Sequence, residues 1–309
     1  MGVKRILKAV EKLIADEDYR FYIMSCYGFF KNMSDEEYLK RKFKGTIGTR
    51  LDLDNPRTFN EKLQWLKLYD RRPEYTMMVD KYLVRQYIAE TIGEEYLIPL
   101  LGVWNDPDEI DFNALPEQFV LKCNHNSGTG MCICKDKKTL NIEKVKKELR
   151  KGLAQNYYLT SREWPYRDVP RKIICEKYMT DKGQELADYK IHNFDGVPRF
   201  ILVCKDRFEK SGLTEDFFTP GWEHMPIRRL EHPNASSDIC KPKELEEMLR
   251  ISKILSDGYP FIRTDFYTVN NKIYFGELTL YPASGFTPFD PDLYDDLFGS
   301  WVKLPIEGG

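Results

Sequence analysis

The chain has 309 residues, 42% hydrophobic and 31% charged, and its 47 Lys+Arg against 49 Asp+Glu leave a net charge of −2. Single cores stop growing near about 250–300 residues, so this length allows two or three lobes. Near-neutrality argues against nucleic acid as the main partner, and no apolar run approaches the ~18 residues that a membrane span needs.

Seven cysteines, an odd number with no secretory signal before them, lie mostly in apolar strand-like runs. Reduced core thiols and a cytoplasmic location are therefore expected. Among His125, His192, His224 and His232 no pair has the HExxH spacing of a metalloprotease. The chain also lacks the Gly-x-Ser-x-Gly elbow of serine hydrolases and the Walker-type Gly-x4-Gly-Lys-[Ser/Thr].

Residues 1–15 place Val3, Ile6, Leu7, Val10, Leu13 and Ile14 at helical spacing, with Lys4, Arg5, Lys8 and Lys12 on the other face. Such a helix suits either an anionic inner membrane surface or the body of the protein. Ile6 stands where a myristoylation signal wants Ser or Thr. Aromatic and charged residues without a clear period follow to Asn55-Pro56. Thr58-Phe59-Asn60-Glu61 has capping-box spacing and starts a helix that Arg71-Arg72-Pro73 ends. A second helix is expected after Asp80-Lys81, with Val79, Leu83, Tyr87 and Ile88 on its apolar side and a stop at Gly93.

Residues 117–135 read as strand, Gly-containing loop, strand. Alternation in 119–123 sets Lys122 opposite Phe119, Leu121 and Cys123. The loop from His125 to Gly130, including Ser127, Gly128, Thr129 and Gly130, lets backbone amides approach a ligand closely. A phosphate clamp and an ordinary hairpin loop are both open here. A basic helix at about 141–155 precedes a strand ending Glu176-Lys177-Tyr178-Met179. Strands 188–194 and 197–203 flank Asp195-Gly196, a strong hairpin signal. Asp188, Lys190 and His192 share one face of the first strand. Residues 205–240 are expected to form a long loop able to cover a site, and Pro242 opens a helix to Gly258.

Pro260 to Gly285 holds two acids inside apolar strands, and an unpaired buried carboxylate is costly. If Asn270 to Lys272 form a three-residue loop, Val269 faces Ile273 and Asp265 falls opposite Glu277, with Cβ atoms roughly 5 Å apart. A two-residue loop would send the acids to opposite faces. In the first register Arg263 and Thr279 join them. Facing carboxylates repel unless a cation lies between, and such an all-oxygen site suits Mg²⁺ that keeps waters and phosphate oxygens. The competing reading pairs Arg263 with one acid and leaves the other to solvent.

The succession Asp80-Lys81, Lys122 with its Gly-rich loop, Glu176 to Met179, Asp188-x-Lys190, Arg263-x-Asp265 and Glu277-x-Thr279 resembles the ATP-grasp superfamily. FNEKLQWLK, LKCNHNSGTG and GELTLYPASG look closest to teichuronopeptide-biosynthesis-like ATP-grasp proteins found among cell-surface polysaccharide genes. The resemblance spans roughly 55–305. It implies an α+β fold in which two lobes clamp ATP between antiparallel sheets. The expected divisions are a helical N-terminal extension (1–56), a helical pre-grasp region (57–112), a small lobe with phosphate loop and hinge (113–180) and a large lobe with the metal site (181–309).

The resemblance also implies roles. Lys81 and Lys122 would reach the α- and β-phosphates under loop 125–130, Glu176 to Met179 would meet adenine, and Asp188 the ribose hydroxyls. Lys190 would contact the γ-phosphate, Arg263 the transferred phosphate or an acyl phosphate, and Asp265 and Glu277 would bind Mg²⁺. The family pattern has Asn where Thr279 stands, so a hydroxyl or a water supplies that ligand. The implied activity is ATP-dependent ligation of an amine to a carboxylate of a surface glycan or its precursor, with no protein nucleophile. The alternatives are a kinase on the same scaffold and a non-catalytic binding module. A glycosyltransferase lacks its Asp-x-Asp here. Removing Asp265 or Glu277 is expected to abolish turnover with little loss of folding, because like-charge repulsion is relieved.

Overall fold

The structure is a computed structural model, and it describes residues 13–181, 186–205, 212–229 and 232–305. Most of the basic amphipathic stretch 1–15, and with it the membrane contact expected there, lies outside the described residues. No helix among the described residues is long and apolar enough to cross a membrane.

A helical unit comes first, made of α1 (Glu17–Ser25), α2 (Asp35–Ile47) and α3 (Phe59–Tyr69). Thr58 and Glu61 form the expected capping box at the start of α3, each side chain bonding the other residue's backbone amide. Phe21, Tyr38, Leu39 and Phe43 make a small core between α1 and α2. The helix expected after Asp80 is α5 (Val84–Thr91), but Val79, expected on its apolar side, instead ends a separate short helix before Asp80, α4 (Tyr75–Val79). Asp80 parts them: its backbone is extended, and its Oδ1 accepts from the amides of Tyr82 at 2.8 Å and Leu83 at 3.2 Å.

Two antiparallel sheets follow. The smaller has strand order β1-β4-β2-β3, from β1 (Leu100–Trp104), β2 (Phe119–Cys123), β3 (Met131–Cys134) and β4 (Ile173–Lys177). One face buries Phe119, Leu121, Ile173 and Cys175 against Val145 and Leu149 of α6 (Ile142–Ala154). A short helix, α7 (Tyr158–Ser161), leads back to β4.

The larger sheet has the order β10-β9-β5-β6-β7-β8. It comprises β5 (Asp188–Phe194), β6 (Val197–Lys205), β7 (Thr214–Phe218), β8 (His224–Met225), β9 (Phe261–Val269) and β10 (Lys272–Thr279). Helix α8 (Leu245–Ser256) buries Leu245, Met248, Ile251 and Leu255 in the same core, each contributing about 1.5–3 kcal/mol. Helix α9 (Leu293–Trp301) closes the described chain by packing Phe298 onto Phe59 and Phe200.

The reading of 205–240 as loop is corrected, because β7 and β8 lie within it. Every residue of β7 is buried, two of them acids, so no polar-apolar alternation marks the strand. Asp216 is satisfied by His224 Nε2 at 3.1 Å and the Ala235 amide at 2.9 Å.

The β9–β10 hairpin also differs from the three-residue expectation. Its loop has two residues, Asn270 and Asn271, both left-handed at φ 51° and 59°, and Lys272 pairs with Val269. That turn alone would put the acids on opposite faces. A bulge at Gly276 restores them: Phe275 still faces Phe266, and Glu277 then faces Asp265. A Cβ at Gly276 would sit 3.1 Å from both the Asp265 carbonyl oxygen and Tyr267 Cε2, so a residue without a side chain suits the bulge.

Candidate functional site

The large sheet presents one chemical face. Register pairs Glu277 with Asp265 and Asp265 with Lys190, and in the next row Thr279 with Arg263 and Arg263 with His192. Side chains two apart share a face, so both rows and Asp188 point the same way.

The cation between the two acids is the guanidinium of Arg263. Its Nε and Nη2 donate to Asp265 at 2.6 and 2.7 Å, and Nη2 also donates to Glu277 Oε1 at 2.9 Å. Arg263 therefore pairs with both acids, against the reading that gave it one. Lys190 Nζ lies 2.5 Å from Asp265 Oδ2 and 2.6 Å from Asp188 Oδ2. Thr279 donates its hydroxyl to Glu277 Oε1 at 3.2 Å.

Exposure separates the acids. The Asp265 side chain is 1% exposed and that of Glu277 36%. Burial pushes the Asp265 carboxyl up, and Arg263 and Lys190 oppose it. Burial also acts against Glu277, but Lys81, Arg263, Lys190 and Lys122 overcome it and hold the group at about 2.

The small sheet supplies the facing wall. Lys122 Nζ lies 2.6 Å from Glu176 Oε2. The other oxygen of Glu176 lies 3.1 Å from Arg85 Nη1, while Arg85 Nη2 donates to the Ile98 carbonyl. Sequence reasoning missed Arg85, because Lys81 lies in the turn before α5 and nothing local marks the pairing of Arg85 with Glu176, 91 positions away. Alternation along β4 puts the exposed Lys177 on the face away from Glu176, and its amide donates to the Pro99 carbonyl at 3.0 Å. Tyr178 lies under Lys135 Nζ at 5.9 Å, and Met179 is half-buried just beyond the strand.

Lys81 joins the two walls. Its Nζ donates to the Asn126 carbonyl at 2.8 Å and stands 4.0 Å from Glu277 Oε2. Burial lowers its pKa, and Lys122 lowers it further.

The base of the small-residue loop is a fixed platform. Asn124 donates to Asp80 Oδ1 and the Pro170 carbonyl, and accepts from the Lys172 amide. Asn126 donates to Gly152, and His125 Nε2 to Gln155. Gly130 is left-handed at φ 69°, and a Cβ there would lie 2.7 Å from both Cys123 Sγ and Gly152 Cα. The loop thus rests on α6 at Gly130, while Ser127 and Gly128 are exposed at the tip and Thr129 is half-buried.

Lys81, Lys122, Lys190, Arg263 and Arg85 give five cations against four carboxylates, Glu176, Asp188, Asp265 and Glu277. Of the residues expected at the phosphate and metal end, Lys81, Lys122, Lys190, Arg263, Asp265, Glu277 and Thr279 come together in this cluster, while Ser127, Gly128 and Thr129 make no contact with it. Its near-balance of charge matters for what it can bind: a polyphosphate with about four negative charges needs further positive charge alongside it, which is the usual task of Mg²⁺ at such sites.

The sequence model of the TupA-like ATP-grasp family matches residues 61–303. No curated protein matches the chain. Similar solved structures include D-alanine–D-alanine ligase from Helicobacter pylori, at 16% identity and TM-score 0.43 over 79% of this chain and 69% of that one. The ATP-grasp ligase PsnB in complex with its minimal precursor matches at 11% and TM-score 0.38 over 72% and 60%, respectively. Phosphoribosylamine–glycine ligase from Thermotoga maritima matches at 13% and TM-score 0.38 over 69% and 51%. The chain thus spans 60% and 51% of the last two proteins. With four-fifths of its length under the family's sequence model, and two antiparallel sheets facing each other across a lysine-rich cleft, the chain belongs to the TupA-like ATP-grasp family.

Proposed function

We propose that the chain is an ATP- and Mg²⁺-dependent carboxylate–amine ligase that joins an amino acid or other amine to a carboxylate, a uronic acid of a cell-surface polysaccharide or its precursor. The observation that carries this reading is the register of β9 and β10, which puts Asp265 and Glu277 opposite each other with Arg263 between them. Membership of the ATP-grasp family supports it.

In this proposal residues 113–180 are the small nucleotide lobe and 181–309 the large one, with 1–56 and 57–112 as helical additions. Glu176, backbone 177–179 and Asp188 meet the nucleoside. Lys81 and Lys122, with loop 127–130 above them, take the α- and β-phosphates. Lys190 and Arg263 face the transferred phosphoryl group.

The donor set fits Mg²⁺. Glu277 is the accessible acid, and among the described residues its Oε2 has no cation nearer than Lys81 at 4.0 Å; Asp265, whose oxygens Arg263 and Lys190 hold, and Thr279 would complete an all-oxygen set. Such an ion keeps several waters and binds one or two carboxylates. When bound, it would neutralise phosphate charge and orient the terminal phosphoryl group.

The substrate carboxylate would displace ADP at the γ-phosphorus and become an acyl phosphate. The amine would then attack the acyl carbon, phosphate would leave with the C–O bonding pair, and the amine would lose a proton. Arg263 and Lys190 stabilise the dispersed charge. No side-chain nucleophile is required. A cytoplasmic location, where ATP is available and the seven thiols stay free, belongs to the same proposal.

The test is incubation with ATP, Mg²⁺ and a panel of uronic acids and amino acids, read by mass. Carboxylate-dependent release of ADP and phosphate, with an amide product only when amine is present, is the expected result. A stable phosphorylated sugar formed without amine would make the chain a kinase, and lack of any nucleotide turnover would make it a binding module.

A further inference from the structure

Two backbone turns beside the site hold non-glycine residues in the left-handed region. Arg162 has φ 55°, and Ala283 and Ser284 have φ 48° and 54°. Such conformations persist only where surrounding contacts over-determine them, and they gather at ligand-handling sites. The second turn begins three residues after Thr279. Thr279 itself donates to Glu277 Oε1 at 3.2 Å and pairs with Arg263 across the sheet, so this turn leaves the site directly.

One side chain touches both turns. Lys67, in the last turn of α3 and 1% exposed, donates to the Ser161 carbonyl at 3.0 Å, the Ser284 carbonyl at 2.7 Å and Gln64 Oε1 at 3.0 Å. Gln64 in turn donates to the carbonyls of Ser284 and Gly285. The turns are tied directly as well, because Ser284 Oγ donates to Glu163 Oε1 at 2.5 Å. A fully buried ammonium is costly unless its hydrogen bonds are satisfied, and a surface helix core would gain more from a leucine there.

We propose that Lys67 is a positioning residue for the acceptor substrate: reaching out of α3, it brackets the turns at 161–163 and 283–285 into one wall beside Glu277 and Arg263. This inference rests on the ligase reading for the identity of the acceptor as a carboxylate, and it makes the helical unit part of the site. Lys67 touches no reacting atom. It acts through the carbonyls it holds.

The test uses Lys67→Met, which keeps length without charge, and Ser284→Gly, which leaves the lysine in place but releases the left-handed constraint and the Glu163 link. Three readouts are taken on the full chain: hydrogen exchange of residues 280–287, calorimetric affinity for Mg·ATP, and kcat/KM for glucuronate with glycine as amine. In Lys67→Met, exchange at 280–287 should quicken at least tenfold while Mg·ATP affinity stays within twofold of wild type. The kcat/KM for glucuronate should fall at least tenfold, and Ser284→Gly should show the same pattern at about half that size on a logarithmic scale. Unchanged exchange, or Mg·ATP affinity falling in step with kcat/KM, overturns the proposal. If wild type turns over no carboxylate, the ligase reading fails, and the exchange result still decides whether Lys67 holds the wall. If Lys67→Met does not fold, Ser284→Gly decides alone by the same criteria.

Discussion

Asp265→Asn separates two accounts of the acidic pair. On sequence grounds alone, removing one of two facing carboxylates relieves repulsion and costs little. The structure reverses that expectation, because the Asp265 oxygens accept from Arg263 at 2.6 and 2.7 Å and from Lys190 at 2.5 Å in a side chain that is 1% exposed. Removing one partner of a buried ion pair costs about 3–5 kcal/mol, since the other charge is left without compensation. Asparagine keeps one acceptor oxygen, and the burial cost of the carboxylate itself disappears, so the low end, about 3 kcal/mol, is expected. At about 2 °C per kcal/mol for a chain of this size, the Tm should fall by roughly 6 °C without nucleotide. Thermal unfolding followed by circular dichroism reads this directly. A Tm equal to or above that of wild type would refute the assignment of Asp265 as counter-charge to Arg263 and Lys190.

Glu277→Gln should behave differently, since its side chain is 36% exposed: the Tm should move by no more than about 2 °C, while ADP release falls at least 100-fold, as losing a transition-state charge partner does. Lys122→Ala should weaken Mg·ATP binding about tenfold in calorimetry with Glu176 still held by Arg85, and unchanged affinity would take Lys122 out of the phosphate site. Gly276→Ala should cost about 1–3 kcal/mol in urea unfolding, because its Cβ meets Asp265 O and Tyr267 Cε2 at 3.1 Å, and wild-type stability would show that the bulge has room to spare. Burial holds His125 at about 4 in the folded chain against about 6.5 unfolded, so the folded state binds fewer protons between those values. Its contribution is complete above pH 6.5 and is lost as pH falls through 4. The wild type should lose up to about 3 kcal/mol more than His125→Gln across that window in urea titrations at stepped pH, and equal losses would contradict the buried, neutral imidazole.

The elements with strong local signals were legible in the sequence. Thr58 and Glu61 announced the start of α3, and Asp195-Gly196 announced the β5–β6 turn. The facing of Asp265 and Glu277 was legible for a reason the sequence did not reveal. A three-residue loop and a two-residue loop with a bulge give the same pairing, and only the left-handed Asn270-Asn271 and the crowding at Gly276 tell them apart. Strand β7 was hidden because its acids are buried and paired through tertiary contacts, which no local pattern encodes. The same holds for Arg85 and Lys67. Each is an ordinary helix cation in the sequence, and the contacts that give each its place at the site, Glu176 for Arg85 and the Ser161 and Ser284 carbonyls for Lys67, come from segments 91 to 217 positions away.

Asp265 and Glu277, with the cations around them, are proposed as the Mg²⁺ and phosphate end of a nucleotide site. The most direct measurement is calorimetric titration of ATP into wild type and Glu277→Gln, each with and without Mg²⁺. Binding at least tenfold tighter with Mg²⁺ is expected in wild type, with loss of that gain in the variant. Equal affinity with and without the metal in wild type, or a full metal gain in Glu277→Gln, would contradict that assignment.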